Sequence, residues 1–297
     1  MVDYRLLSLL KVVETGSFTK ASGQLGLSQP AVSQHIRQLE EYWSVRIFEH
    51  NHNRIALTPE GEIIVRYAQR MAALSNNLKQ ALINEKEQLR SLTVGITHTA
   101  ESSTIIEALA AYTSAMDRLN LKIITNTTDN LYAMLRSYEL DFAFVEGKTA
   151  DPAFLYIMLD TDFLTLAVPP SHPLARKGAI SIEQLKKERL ILRLPNSNTR
   201  SLFTASLESH GLNLNEFNVA MEIDSIASIK DLIRCGFGVS VLARSACLDE
   251  IKKGKLAALS IEDLSMIREI NIVCCKDHDH RDIMCDIVNK YNEMCKE

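Results

Sequence analysis

The feature that most constrains this chain of 297 residues is a change of period near residue 90. Before that point, apolar residues recur at three- and four-residue spacing, as along one face of a helix. After it, short apolar runs such as LTVGI (92–96) and DFAFVE (141–146) alternate with helical stretches. No single helical bundle or all-β sandwich accommodates both patterns. The chain requires a small helical head, a connection and an α/β body, and its length suits two or three domains.

Within the head, Leu6, Leu9, Leu10 and Val13 mark one buried helical face, and Gly16 stands where a helix ends with φ > 0. Ser17 is placed to cap a second helix over 18–25, with Phe18, Ala21 and Leu25 inward, and Gly26 stops it. Ser28 then caps a third helix, with Pro30 in its first turn, where a missing N–H does no harm. Val32, Ile36, Leu39 and Trp43 share its apolar face and are expected in the core. Pro30, Ser33, Gln34 and Arg37 lie opposite. Two short helices joined by a tight glycine turn match a helix-turn-helix, whose second helix enters the DNA major groove N-terminal half first. Gln and Arg pair bidentately with adenine and guanine edges. A solvated face of a small helical bundle has the same pattern. Residues 44–58 read as a two-stranded wing, Val45–Phe48 and Ile55–Leu57, around a polar tip. There Arg54, with His50 and His52, is placed for phosphates or a minor groove. The two histidines lack cysteine or carboxylate neighbours at ligand spacing, so no metal is expected.

The runs TGSFTKASGQLGLSQPAVSQHIRQLE and RIFEHNHNRIALTPEG carry a family likeness. In GSFT, SQPAVS, the following I-x-x-LE and the LT-x-x-G, the chain resembles the N-terminal winged helix-turn-helix of LysR-type transcriptional regulators. The resemblance implies DNA contact by Ser28, Gln29, Pro30, Ser33, Gln34, Arg37, Arg54 and Thr58. The chain departs from the family pattern at Trp43-Ser44, where Leu-Gly is usual, and at His50, where Arg is common.

Thr58 and Pro59 open a long helical run to residue 89 in which Ile64, Tyr67, Met71, Leu74, Leu78 and Ala81 repeat at alternating spacings of three and four. So narrow a seam predicts a partner helix and homodimerisation, the alternative being a helix packed on its own domain. A dimer would present two recognition helices to an inverted-repeat site. The run resembles the linker helix of the same family.

Residues 91–297 predict two α/β lobes with a mostly parallel sheet, lobe I over 91–162 and 266–297 and lobe II over 163–265, the chain crossing near 161–163 and 265–268. The tracts VPPSHPLA, LRLPNSNTR and IRCGFGVSVL resemble the family's effector-binding domain, itself similar to periplasmic solute-binding proteins. Ligands bind such lobes at the carboxyl ends of strands, beside helix N-termini. Three polar loops qualify, and the candidates in and beside them are Thr97, Thr99, Ser102, Thr128, Arg193, Ser197 and Thr199, with Arg200 a second counter-charge for a small polar effector such as a carboxylate. The resemblance points first to Thr99, Thr128 and Thr199, although serine and threonine at such positions are also ordinary helix caps.

Charge alone does not argue for nucleic acid: the net value is −4, with +2 over residues 1–90 and −6 beyond. The six cysteines all lie in the C-terminal third, and without an export signal they read as reduced thiols of a cytoplasmic protein. Cys274-Cys275 beside Asp277–His280 invites a metal, but adjacent strand residues point to opposite faces. There is no G-x-S-x-G elbow, P-loop or HExxH, so neither catalysis nor a cofactor is expected. The expectation is a sequence-specific, effector-controlled transcriptional regulator, a homodimer or homotetramer away from membranes. Its partners would be double-stranded DNA, a small-molecule effector and, as the resemblance implies, RNA polymerase. The rivals are a solute-binding or sensor protein without DNA readout, and an enzyme on the same lobes.

Overall fold

The computed structural model describes residues 2–51, 54–87, 90–277 and 280–295. The chain forms two units, Met1–Ser91 with Arg136–Glu139, and Leu92–Leu135 with Leu140–Glu297.

The first unit opens with α1 (Tyr4–Thr15), where the Asp3 side chain accepts the Arg5 N–H at 2.9 Å. It ends at Gly16, whose φ of 62° is left-handed. Helix α2 (Phe18–Leu25) is capped by Ser17, and α3 (Gln29–Trp43) by Ser28. Leu6, Leu9, Ile36, Leu39 and Ile47 form one cluster and Val12, Ala21 and Val32 a smaller one, so the predicted apolar faces converge. Trp43 does not join them. It is 38 % exposed, because this core ends a turn earlier, at Leu39. Strands β1 (Phe48–Asn51) and β2 (Arg54–Leu57) pair antiparallel, Phe48 opposite Leu57. The first strand starts later than Val45 because α3 claims the intervening donors: Val45 N–H bonds Glu40 O at 3.1 Å, and Ile47 N–H the Glu40 carboxylate at 2.8 Å. Helix α4 (Pro59–Glu87) follows, burying Val65 and Ala68 on the same core. Gly61 sits so close to the Ile47 carbonyl that a Cβ there would lie 2.2 Å from its oxygen. No helix among the described residues is long and apolar enough to cross a membrane.

The second unit begins with β3 (Arg90–Ile96), α5 (His98–Glu101), α6 (Ile105–Ala115), β4 (Leu119–Thr125), α7 (Thr128–Arg136) and β5 (Phe142–Glu146). A long strand, β6 (Phe154–Val168), leads into β7 (Ala179–Ile180), α8 (Ile182–Leu185), β8 (Leu190–Leu192), α9 (Asn198–Ser209), β9 (Val219–Glu222), α10 (Ile226–Arg234) and β10 (Ser240–Ala243). The chain closes with α11 (Leu248–Lys252), β11 (Ala257–Ile261), β12 (Ile267–Cys275) and α12 (Arg281–Met294). The largest sheet runs β4-β3-β5-β12-β6-β11-β7, with β10 also on β6.

The sheet is mixed rather than mostly parallel. Strands β3 and β5 are parallel, but β12 runs antiparallel to both β5 and β6, and β10 and β11 run antiparallel to β6. Strand β6 starts nine residues before the predicted lobe boundary at 163, and β6 and β12 pair from Phe154–Cys275 to Phe163–Ile267. Strand β6 alone passes from one lobe into the other, paired with β12 up to Ile267 at the lobe boundary. Side-chain alternation on β6 then feeds two cores of lobe II: Leu164, Leu166 and Val168 join Phe203 and Val241, while Ala167 joins Ile191, Ile229 and Leu242. In lobe I, Phe142, Phe144 and Ile272 meet Leu109 of α6 and Met284 and Ile287 of α12. Each buried aromatic or aliphatic side chain of this size contributes about 1.5–3 kcal/mol. On the opposite face Leu131 packs against Gly95, where a Cβ would lie 2.7 Å from it.

Candidate functional site

Helix α3 presents the first candidate surface. Burial of Val32, Ile36 and Leu39 turns the rest of the helix outward. Ser28, Gln29, Pro30, Gln34 and Arg37 are exposed and Ser33 is half-buried. The Ser28 hydroxyl caps the helix from the Ala31 N–H at 3.4 Å, and the Gln29 amide donates to the Ser33 hydroxyl at 2.9 Å. These six side chains lie together along the leading half of one short helix. Thr58 is engaged otherwise. Its hydroxyl donates to Arg46 O at 2.6 Å and accepts the Gly61 N–H at 2.9 Å, which makes it the cap of α4. Its proton is therefore committed within the chain. Arg54 contributes backbone to β2; its side chain, and those of His50 and His52, lie outside the described residues.

Along α4, the predicted seam divides. Ile64 packs partly on the head's own core, while Tyr67, Met71, Leu74 and Leu78 are each about half exposed or more. Ile63, Leu82 and Ile83 add exposed apolar surface that the heptad reading did not include. Near the start of this stripe, Leu6, Trp43, Val45, Ile63, Tyr67 and Met71 line an apolar groove of ≈ 440 Å³.

The other candidate surface is a cleft between the lobes of the second unit, built where strands end. After β3, the Thr97 hydroxyl accepts the Ala100 N–H at 3.2 Å and donates to Glu146 Oε1 at 2.6 Å. Glu146 closes β5, a strand buried throughout. After β4 come Asn126, Thr127 and Thr128. From lobe II, the Asn198 amide crosses to Thr128 Oγ1 at 2.8 Å and Glu146 Oε2 at 3.3 Å. Arg193, just after β8, is 3 % exposed and donates to Asp224 at 2.9 Å. Burial pushes its guanidinium below the usual arginine value, while the Asp224 carboxylate pulls the other way. His98 lies 3.9 Å from Asp224.

Of the sequence candidates, Thr97, Thr99, Thr128, Arg193 and Ser197 all line this cleft. Ser102 and Thr199 do not. Ser102 ends α5 with its backbone N–H on Ala100 O and Thr99 O, and Thr199 is buried one position inside α9, facing Arg268 at 3.4 Å. Arg200 pairs with Glu222 at 2.9 Å, away from the lining. Sequence reasoning missed Glu146 and Asp224. The available signal was a carboxylate at the carboxyl end of an otherwise apolar strand, or just past it. It also missed the pair beneath the cleft, Arg268 to Asp162 at 3.2 Å, with Ser245 Oγ on the same carboxylate at 2.9 Å. Among the described residues, no group of histidine, cysteine and carboxylate side chains is arranged to hold a metal; His278 lies outside them.

Two family models match the chain. Residues 5–62 match "Bacterial regulatory helix-turn-helix protein, lysR family", and residues 85–284 match "LysR substrate binding domain". A "Probable RuBisCO transcriptional regulator" of Cyanidium caldarium is 27 % identical over 275 residues, 91 % of this chain and 86 % of that one. The "HTH-type transcriptional regulator CysL" of Bacillus subtilis is 27 % identical over 269 residues, covering 90 % and 89 %. In fold, full-length CbnR, solved in complex with its target DNA, matches with a TM-score of 0.66 at 18 % identity over 98 % of both chains.

Proposed function

We propose that this chain, which belongs to the LysR family of bacterial helix-turn-helix transcriptional regulators, reads duplex DNA through α3 and answers to a small polar effector in its interlobe cleft. The regulators it matches are not enzymes. The observation that carries the DNA reading is the exposed Gln29, Pro30, Ser33, Gln34 and Arg37 face of α3, set above buried Val32, Ile36 and Leu39. Gln34 and Arg37 would meet base edges, while Ser28 and Ser33 reach phosphate or base. The DNA complex of CbnR supports this choice of partner.

Homodimerisation through α4 supplies the second half-site contact. An exposed row of Tyr67, Met71, Leu74 and Leu78 would cost solubility on a lone helix and is covered when two copies pair. Ligand entry then shifts the pose of the two lobes, and oligomer contacts convey that shift to the paired recognition helices, altering half-site spacing or DNA bend. RNA polymerase is the downstream partner in this reading. Selection of binding sites from a random duplex pool with the full-length protein, at fixed salt, tests the proposal. An inverted-repeat consensus is expected. Equal retention of all duplexes would refute the DNA reading, and a chain that sediments as a monomer would refute the pairing. For the effector reading, a small molecule that raises Tm through the cleft should lose that effect in Thr128→Ala or Ser197→Ala.

A further inference from the structure

Glu146 is costly to keep where it lies. It is 9 % exposed, and burying a carboxylate is unfavourable unless charge and hydrogen bonds compensate. Here its hydrogen-bond partners are neutral, and the one arginine whose charge it feels, Arg193, makes no ion pair with it. The Thr97 hydroxyl donates to Glu146, since a carboxylate has no proton to give, and accepts the Ala100 N–H. The other partner, the Asn198 amide, comes from the opposite lobe and divides itself between Glu146 and Thr128. No cationic side chain among the described residues reaches ion-pair distance of Glu146. The nearby arginine, Arg193, spends one nitrogen on Asp224, while its buried Nε–H finds no acceptor.

The cleft thus holds two unmet demands close together: a buried carboxylate without a cation, and a buried guanidinium N–H without an anion. A simple anion would bring like charge to Glu146, and a simple cation would leave Arg193 unanswered. We infer that the cleft takes a small zwitterion of the amino-acid class, its ammonium displacing the Asn198 amide from Glu146 and its carboxylate accepting from Arg193 Nε. The cleft as it stands offers only ≈ 30 Å³, too little for an amino acid. Entry therefore requires Asn198 to release lobe I. In the empty protein that amide occupies the position the ligand's amine would take. The inference rests on reading the cleft as the effector site.

The test uses full-length protein and the common L-amino acids, followed by thermal shift and calorimetry. Each binder is compared with its deaminated carboxylate and its decarboxylated amine. At least one amino acid is expected to bind, with both truncated analogues weaker by about tenfold or more, because the acid brings no cation to Glu146 and the amine brings no acceptor to the Arg193 Nε–H. Glu146→Gln, near-isosteric, should weaken the amino acid by a similar factor. Asn198→Ala, which removes the competing amide, should tighten it and provides a reading even if the first variant folds poorly. A deaminated carboxylate that binds as well as its parent, or unchanged affinity in well-folded Glu146→Gln, would overturn the zwitterion while leaving the cleft as the effector site. Binding that persists undiminished in Thr128→Ala and Ser197→Ala would place the ligand elsewhere and remove the cleft reading as well. Absence of binding by every amino acid also overturns the inference.

Discussion

The outward face of α3 and the interlobe cleft are both polar, yet they treat their polar groups in opposite ways. On α3, Gln34 and Arg37 stand in water, and the helix owes its place to Val32, Ile36 and Leu39 beneath. In the cleft, Thr97, Glu146, Asn198 and Thr128 are hydrogen-bonded to one another, and Arg193 to Asp224. A surface awaiting a macromolecule stays solvated at little cost. The buried cleft keeps most of its polar groups paired within the protein, the Arg193 Nε–H being an exception. Substitutions should therefore separate stability from binding on α3, and couple them around the cleft.

The sharpest challenge to that contrast is Asp162→Ala. It strands the buried Arg268 guanidinium and is expected to cost about 3–5 kcal/mol in chemical denaturation, whereas Asp162→Ala with Arg268→Met should cost much less. If the single variant unfolds like the parent, the polar interior is not held by pairing. Next in size is Gly61→Ala in the head, where the new methyl meets the Ile47 carbonyl; a loss of about 3 kcal/mol should appear by calorimetry. Arg37→Ala should weaken binding to a selected duplex by about 1–3 kcal/mol and relax base choice at one position. In the same variant, the melting curve should move by less than about 0.5 kcal/mol of stability. A large stability loss there would erase the distinction between the two surfaces. The smallest effect is a gain. Ser44 ends α3 with a left-handed φ of 55°, so Ser44→Gly should stabilise the head by about 1 kcal/mol in denaturant titration.

Local chemistry made much of this legible in the sequence. Gly16, Gly26, Ser17 and Ser28 fix their helix ends through neighbours no more than a few residues away, and the structure uses each of them as predicted. The polar loops at the strand ends likewise grouped Thr97, Thr128 and Ser197; of the residues the resemblance put first, Thr99 and Thr128 line the cleft and Thr199 does not. Illegible were features set by distant partners. Trp43 continues the apolar period of α3 but outruns the core it was expected to join. The antiparallel course of β6 and β12 depends on pairing between strands about a hundred residues apart in the chain, which no local run announces. Glu146 reads locally as the end of a strand, and its place in the cleft depends on Asn198, which reaches it from the other lobe.

Since β6 crosses between the lobes as one strand, hydrogen-bonded to β12 up to Ile267, no loop interrupts it at the crossing. Any closure about this seam has to bend or twist that strand. Deformation of that kind is elastic: it resists in proportion to its amplitude, and it reverses once the load is gone. A pair of lobes joined this way would return to its resting pose through the stiffness of the strand itself.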